Sequence, residues 1–460
     1  MPTVTRRGFV QSSLAAAALS PLASPSFAAE PGLRIAPFRF EVTPPVGHPL
    51  CGGWITPVVD CEDPLEAIGY VLLGAGKPIV VCAVDWTGIL NEAHVAWRTA
   101  LAEAAGTTAD RVAVQCVHQH DAPFVCLHAQ RLVAEQNDGL RVVDEQYFSD
   151  CLARGRAAIQ AALAAARPVT HIAHGSGRVE RVASNRRVAI GPDGKVKKMR
   201  GSACRDAELV ALPEGLIDPL LKTIAFYNGA TRVVACHYYA THPMSHYGQG
   251  HVSSDFVGLA RRRRQQEDRD CTHIYFTGAA GNIAAGKYND GSPEARVQLT
   301  ERIYAGILAA EQSLVRAPIG SVSWRTHEIL PSPNPLLNAE RLRAMLADKQ
   351  NVRANRIRPA MMLAWLDRVS AGIPIVVSAL HVDQVAMLNL PAESFLEYQM
   401  RAQQMLPERF VATAAYGDGG AWYIPTRDAY PQGGYEVSVA NCSDAVDDVL
   451  TRGIRAVLTG

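Results

Sequence analysis

Short apolar runs alternate along this chain with segments whose apolar residues recur at helical spacing. The strand-like runs are 79–85, 112–117, 233–239, 273–276, 375–380 and 385–390. The helical patterns cover 92–105, about 144–166, 256–268, 292–316, 338–348 and 393–405. This alternation predicts an α/β fold. Turn sequences at 191–194 and at Asn228-Gly229 favour local antiparallel pairing, so we expect a large mixed β-sheet flanked by helices.

The chain shows no repeat of fixed period, no long linker and no low-complexity tract. Its 460 residues are enough for one large unit or for two to three smaller ones. The weakest seam is the proline-rich stretch Ala317–Asn338. We expect this seam to separate two lobes of a single catalytic unit.

Charge, hydropathy and cysteine content exclude several classes of protein. A formal net charge of +1 argues against a nucleic-acid partner, which requires a basic surface. Beyond residue 30 no apolar run is long enough for a transmembrane anchor. The ten cysteines include no CxxC pair, which excludes a zinc ribbon and a thioredoxin site, whereas disulfides such as one between Cys51 and Cys61 stay open.

The first 28 residues have the pattern of an export signal. Arg6-Arg7 precedes a weakly apolar stretch, and the small residues at 26 and 28 suit cleavage after Ala28. We expect a twin-arginine-type signal peptide at 1–28, with a general secretory signal as the alternative. Either signal predicts a periplasmic or secreted protein whose catalytic domain covers 29–460.

Residues capable of metal or proton chemistry follow the buried strand patterns. His118 and His120 form an HxH motif directly after 112–117, and His242 precedes a proline directly after 233–239. On an extended chain the two HxH imidazoles share a face, so both can reach one metal ion, or one can bind metal while the other moves protons. Glu393 lies after the strand pattern 385–390, where a carboxylate is equally typical of a helix N-terminus.

Three further candidates lie in loop-like segments. Tyr423 and Tyr435 belong to a stretch rich in glycine and proline, where tyrosines often serve packing alone. Arg186 belongs to Ala183–Arg187, where a guanidinium can recognise a carbonyl or carboxylate or can lie on the surface.

In their order these motifs resemble the neutral, non-lysosomal ceramidases and their bacterial relatives. The resemblance rests on Arg34–Ala36, 42–45, the HxH motif, Asn185-Arg186, His242-Pro243, Ser254-Asp255, 278–282, Pro391–Glu393 and the Tyr423/Tyr435 pair. It extends to about residue 436. The chain departs from the family pattern at 119–122 and at Ala392. Only a short segment follows Glu436, so we expect the family's C-terminal immunoglobulin-like domain to be absent.

The resemblance implies a site and a reaction. It implies one zinc ion per chain, with the ligands His118, His242, Glu393 and Tyr423. It implies acid/base catalysis by His120, and stabilisation by Arg186 and Tyr435 of the oxyanion that forms when metal-activated water attacks a carbonyl. The implied activity is that of a zinc-dependent amidohydrolase acting on linear amides.

The substrate and some alternative functions stay open. An aromatic content of 7% and Asp121 beside the HxH motif favour a shallow polar pocket, and a small amide or ester over ceramide as substrate. The alternatives are a metal-dependent lyase or glycoside-processing enzyme on the same scaffold, and a non-catalytic secreted binding protein. The chain offers no placed lysine for a TIM-barrel amidohydrolase, and Ala122-Pro123 breaks the HxHxDH motif of metallo-β-lactamases.

Overall fold

The computed structural model describes residues 32–460, so the predicted signal peptide at 1–28 lies outside the described residues. Within 32–460 the long strands form three mixed sheets. The first and second sheets have a short fifth strand each, Arg167–Pro168 and Val315–Pro318, which pairs with the first strand. The long strands of the first sheet are β1 (Arg34–Glu41), β2 (Glu66–Leu73), β3 (Ile79–Val84) and β4 (Val112–Cys116). Those of the second are β5 (His171–Arg178), β6 (Leu220–Asn228), β7 (Thr231–Tyr239) and β8 (Thr272–Thr277). Those of the third are β9 (Val322–Ile329), β10 (Ile375–Val382), β11 (Val385–Asn389) and β12 (Phe410–Ala414).

The three sheets share one topology. In each, the first three strands pair antiparallel in sequence order, and the fourth strand pairs parallel with the third. A parallel neighbour requires a crossover, which a helix supplies in every sheet. The crossover helices are α1 (Glu92–Ala105), α3 (Asp255–Glu267) and α5 (Leu396–Met405).

A second helix completes each repeat of this pattern. These helices are α2 (Glu145–Ala164), α4 (Pro293–Gln312) and α6 (Val446–Thr459). Each packs against the crossover helix and the first strand of its own sheet. The described chain therefore consists of three modules of the same order, which we call the first (34–168), second (171–318) and third (322–459) modules.

Shorter elements connect and flank these modules. The further strands are Asp60–Cys61, Gly88–Ile89, Phe124–Val125, Arg167–Pro168, Ser184–Asn185, Ala189–Ile190, Val196–Lys198, His251–Val252, Ile283–Ala284, Val315–Pro318, Glu393–Ser394 and Tyr423–Ile424. The further helices are Leu127–Ala134, Ala207–Ala211, Ala339–Ala347, Arg353–Ser370, Ala429–Gln432 and Tyr435–Ser438. Single 3₁₀ turns occur at Cys51–Gly53, Ala109–Arg111 and Gly419–Ala421.

The predicted α/β class, with mixed sheets flanked by helices, is confirmed. The strands are divided among three such sheets, and the predicted turns at 191–194 and Asn228-Gly229 both join antiparallel strands. The proline-rich stretch Ala317–Asn338 contains the junction of the second and third modules and also β9. One continuous hydrophobic core nevertheless includes residues of all three modules.

The topology brings one edge of every sheet to a common centre. Because the first, third and fourth strands of a module run in the same direction, the segments that follow them leave from the same edge. These segments bond across modules: Cys116 N–H donates to the Tyr416 carbonyl and Ala415 N–H to the Thr277 carbonyl, both over 2.8 Å. The Thr277 hydroxyl donates to the Val117 carbonyl over 2.6 Å. Loops from all three modules therefore meet at this edge.

Two further observations concern predictions made above. None of the helices within 32–460 is both long enough and apolar enough to cross a membrane. All ten cysteines lie in the described part of the chain and have free thiols there, including Cys51 and Cys61.

Candidate metal centre

Three predicted ligands, one from each module, converge at the common edge. His118 follows β4, His242 follows β7 and Glu393 follows β11. The Nε2 atom of His118 lies 3.3 Å from Glu393 Oε2, and Nε2 of His242 lies 3.0 Å from the same oxygen. All three side chains are buried. The three residues thus present potential ligand atoms within 4.8 Å of one another.

Backbone carbonyls orient both imidazoles. His118 Nδ1 lies 2.6 Å from the Thr87 carbonyl oxygen, and His242 Nδ1 lies 2.7 Å from that of Ala280. A carbonyl can only accept, so both Nδ1 atoms carry the proton and both Nε2 atoms present a lone pair. Metal-binding histidines are commonly held in this way.

The turn that carries Ala280 depends on a glycine. A Cβ atom at Gly281 would lie 2.3 Å from the Glu393 carbonyl oxygen, so no side chain fits there. Gly281 N–H donates to the Ser394 carbonyl over 2.9 Å. The tight turn at 278–282 therefore lies directly beneath the site and joins the carbonyl that orients His242 to the Glu393 backbone.

The electrostatics of these residues fit a cation. Burial lowers the pKa of His242, which favours the neutral imidazole. Burial alone would raise the pKa of Glu393, but positive charge at His118 and His242 would lower it well below its usual value. With both Nδ1 atoms protonated, two imidazole lone pairs face this carboxylate, an arrangement that is repulsive unless a cation lies between them. His118 Nε2 is buried and has no hydrogen-bond partner among the described residues, which agrees with a metal ligand.

Tyr423 joins this group through the backbone of Glu393. The two residues are register partners in a short parallel ladder, which brings the Tyr423 hydroxyl within 3.4 Å of His242 Nε2. Burial and the Glu393 charge raise the pKa of the phenol well above its usual value. Arg186 Nη1 donates to the same hydroxyl oxygen over 3.1 Å and places a positive charge beside it.

Arg186 lies behind Tyr423 and is held there by an acidic residue. Its Nε lies 3.6 Å from Glu436 Oε1, and Glu436 is completely buried and also bonds Arg187 over 2.9 Å. The Arg186 guanidinium lies over the Tyr435 ring, 5.4 Å from its centroid. Among the predicted catalytic residues, Arg186 is thus the one that hydrogen-bonds to Tyr423.

His120 and Tyr435 line the pocket that leads to the three ligands. The His120 ring is 5.2 Å from that of His118, and its Nδ1 lies 3.5 Å from Cys51 Sγ. Its Nε2 is buried without a hydrogen-bond partner among the described residues, and burial together with His118 lowers its pKa well below the usual value. Tyr435 is 42% exposed and lies at the mouth.

The pocket itself is small and mainly aromatic, which differs from the shallow polar pocket expected from composition. Its volume is about 70 Å³, and its remaining lining residues include Trp54, Thr87, Phe124, Arg358 and Trp422. Asp121 is absent from this lining. Its carboxylate accepts from Gly248 N–H over 2.8 Å and lies 3.7 Å from Arg296, so its charge is directed elsewhere.

Tyr416 belongs to the site but was not predicted. It is buried, its ring stacks on His118 with centroids 4.2 Å apart, and its hydroxyl lies 3.3 Å from His242 Nδ1. Its position just after β12 could have indicated it, because His118 lies at the same position relative to the end of β4. β12 was not recognised as a strand from the sequence, and Tyr416 was missed with it.

Two other groups of histidine and acidic residues lie outside this centre. His237, His273 and Glu311 form one, and Asp268, Cys271 and His273 form the other. Their carboxylates already pair with Arg232 and Arg264. These groups are therefore internal ion-pair networks whose charges are already balanced.

Comparison with known proteins identifies the fold. No protein-family model matches the chain, and no curated protein matches it. A solved structure described as "Ceramidase complexed with C2" is similar with a TM-score of 0.69 and 15% identity, over 93% of this chain and 75% of the other. The crystal structure of neutral ceramidase from Pseudomonas aeruginosa is similar with a TM-score of 0.67 and 16% identity, over 93% and 74%. The three-module architecture described here is therefore the fold of the neutral ceramidases.

Proposed function

We propose that this protein is an exported zinc-dependent hydrolase that cleaves the amide bond of an N-acyl substrate. One observation carries the proposal: the Nε2 atoms of His118 and His242 converge on Glu393 Oε2, and backbone carbonyls fix both imidazoles with their lone pairs toward that oxygen. The likeness of the fold to ceramidases, which act on amides, supports the choice of reaction.

The residues that would hold the ion are His118, His242, Glu393 and Tyr423. Two imidazoles and one carboxylate are a usual protein set for catalytic zinc, and a weaker phenol ligand leaves room for substrate. When bound, zinc supplies a Lewis acid that polarises a carbonyl and makes a water molecule more acidic.

His120 is the acid/base in this proposal. Its Nε2 has no hydrogen-bond partner within residues 32–460, and its burial keeps the ring neutral and able to accept a proton. It lines the same pocket as His118 and Glu393, within reach of a reacting water. We propose that it accepts the proton of the attacking water and delivers a proton to the departing amine.

Arg186 and Tyr435 are the remaining proposed catalytic residues. Arg186 holds the Tyr423 phenol and adds a positive charge beside the reacting carbonyl, which favours the oxyanion. The Tyr435 ring packs against that of Tyr423, with centroids 5.7 Å apart, and leaves its hydroxyl near the pocket mouth. From there it can donate a hydrogen bond to a bound carbonyl oxygen.

The metal assignment is tested by elemental analysis of purified full-length protein beside activity on a set of N-acyl amides. We expect about one zinc per chain and hydrolysis that is lost with a chelator and restored by zinc. His242→Ala should release the metal. Stoichiometric zinc retained by the double variant His118→Ala, His242→Ala would contradict the assignment.

The same assay separates the alternatives. Release of a free amine with a free acid from an N-acyl amide supports the hydrolase, whereas turnover confined to sugar derivatives or to elimination substrates would favour the glycoside-processing or lyase alternatives. Zinc-loaded protein that turns over none of these classes would favour a binding protein.

Export is tested by locating the protein after Arg6→Lys, Arg7→Lys, which should block transport by the twin-arginine route and not by the general route.

A further inference from the structure

Arg358 is a cation in the pocket with no partner in the described chain. It belongs to the helix Arg353–Ser370 and lines the pocket together with Trp54 and Trp422. The side chain is partly exposed, and its Nε is buried without a hydrogen-bond partner among the described residues. No carboxylate of those residues forms an ion pair with it. Because a guanidinium keeps its positive charge at physiological pH, the N–H groups of this partly exposed side chain are free to bind an anion at the pocket mouth.

Two indole rings hold this guanidinium in place. Its central carbon lies 5.6 Å from the Trp422 ring centroid and 5.9 Å from that of Trp54. The two rings are themselves packed edge to face, with centroids 5.5 Å apart. Contacts of this kind orient a guanidinium but leave its N–H groups without acceptors.

The charge balance of the pocket favours an anion. Glu393 is the one carboxylate among the described residues that line it, and this carboxylate faces the two imidazoles. Arg186 is paired with Glu436, whereas Arg358 is unpaired. With a divalent cation between His118, His242 and Glu393, the pocket would carry excess positive charge in an aromatic surrounding, where charges are weakly screened.

Arg358 also lines a larger adjoining groove. This groove has a volume of about 300 Å³ and runs between the helices Ala339–Ala347 and Arg353–Ser370. Its lining combines apolar side chains with polar ones: Leu337, Leu342, Met345, Met362, Asn338 and Asn355. Arg358 thus stands between the small pocket and a space large enough for the rest of a substrate.

We propose that Arg358 binds a carboxylate of the substrate, so that the amide cleaved here carries an acidic group close to the scissile bond, as in an N-acyl amino acid. The inference rests on the proposed function and narrows its substrate class. A planar guanidinium with free N–H groups matches a carboxylate in a bidentate geometry. Ceramide, which has no charged group, does not use this residue.

The test compares an acid with its neutral isostere in two assays. Hydrolysis is measured on N-hexanoylglycine and N-hexanoylglycinamide. Binding to the zinc-loaded protein is measured on 4-oxononanoate and 4-oxononanamide, in which a methylene replaces the amide N–H so that no hydrolysis occurs. Trp54 and Trp422 flank Arg358, so intrinsic tryptophan fluorescence reports binding there. The variants are Arg358→Met and Arg358→Lys, with Arg343→Met, an exposed arginine on the neighbouring helix, as the control.

We expect wild type to prefer the acid over the neutral partner about 10- to 100-fold in kcat/KM and in binding, the usual strength of a charge-assisted hydrogen bond. Arg358→Met should lower both ratios by about this factor, Arg358→Lys should restore part of the preference, and Arg343→Met should leave it intact. Because zinc itself attracts carboxylates, the difference between wild type and Arg358→Met isolates the arginine.

Two outcomes separate this inference from the proposed function. Equal binding of 4-oxononanoate and 4-oxononanamide by wild type, or an acid preference as large in Arg358→Met as in wild type, would overturn the role of Arg358 even if neutral amides are hydrolysed. If the acid binds preferentially through Arg358 but neither glycine derivative is hydrolysed, the anion site is supported and the proposed amidase activity is contradicted.

Discussion

The imidazole of His118 and the phenol ring of Tyr416 lie face to face, with centroids 4.2 Å apart and planes 25° apart. Both residues have a left-handed backbone, with φ of 75° and 61°, and both stand two places beyond the end of a fourth strand. A backbone so unfavourable for a bulky residue is kept only where the surroundings enforce it. The stack therefore fixes the His118 ring plane.

Removal of this stack should weaken the metal site without removing a ligand. We expect Tyr416→Ala to lower zinc affinity about 10- to 100-fold, the usual effect of residues that orient ligands. Tyr416→Phe keeps the ring and should stay close to wild type, so the pair separates stacking from the hydroxyl contact to His242. Competition with a zinc chelator measures the affinity. Equal affinity for wild type and Tyr416→Ala would show that the carbonyl of Thr87 suffices to orient His118.

His120 should affect turnover and leave the metal in place. For His120→Ala we expect unchanged zinc content and a loss in kcat on the order of 10²–10⁴, the range for a positioned acid/base. Tyr435→Phe should show a smaller loss. An empty site in His120→Ala would instead make His120 a ligand and remove one of the four proposed ones.

Arg186 and Tyr423 should act as a coupled pair. Arg186 donates to the Tyr423 hydroxyl, so Arg186→Met and Tyr423→Phe each remove the same hydrogen bond. We expect the double variant to lose less activity than the sum of the two single losses, with a coupling free energy of about 0.5–3 kcal/mol in kcat/KM. Strictly additive losses would show that the two residues act independently. The parallel pair Arg401→Met, Thr451→Ala lies outside the site and serves as a control for general destabilisation.

The buried pair of Arg368 and Asp418 should make stability depend on pH. Burial alone would raise the pKa of Asp418, but Arg368, whose Nη1 lies 2.5 Å from Oδ2, and His94 lower it below its usual value. A carboxyl with a depressed folded pKa stabilises the fold above its unfolded pKa, near 3.9, and loses this effect as the pH falls through the folded value.

Asp418→Asn should therefore destabilise the protein by roughly 3–5 kcal/mol at neutral pH, because it leaves the Arg368 cation buried and unpaired. Denaturant unfolding between pH 7 and pH 3 measures the difference, which should shrink toward the acidic end as wild-type Asp418 becomes protonated. A difference independent of pH would mean that the loss comes from the hydrogen bonds of Asp418 to Asn91 and Gly420 alone.

The sequence was most informative where apolar runs end in polar residues. β3, β4, β7, β8, β10 and β11 were predicted within one or two residues, and each of His118, His242 and Glu393 became a candidate because it follows such a strand. The strands β1, β2, β5, β6, β9 and β12 were not predicted. Several of these alternate with exposed or polar positions or contain glycine, and their pairing depends on distant partners that a local pattern does not reveal.

Arg358 shows the same limit for helices. The helix Arg353–Ser370 was not predicted, since Pro359 lies inside it and arginines interrupt its apolar spacing. The three-module repeat was invisible for another reason: the modules begin at Arg34, His171 and Val322, at unequal spacing, because the loops after their first strands differ in length and content. The three modules share one topology, but their sequences do not repeat with a fixed period.

Because His118, His242 and Glu393 come from three different modules, the ligand cluster exists only while all three are docked. An ion that binds this cluster, and not the separated modules, adds its binding free energy to their association. Metal affinity would then measure how completely the modules are docked. A substitution in any module interface, however distant from the pocket, should weaken metal binding in proportion to the population of undocked molecules that it creates. Loss of the metal and separation of the modules would then both report the equilibrium between docked and undocked modules.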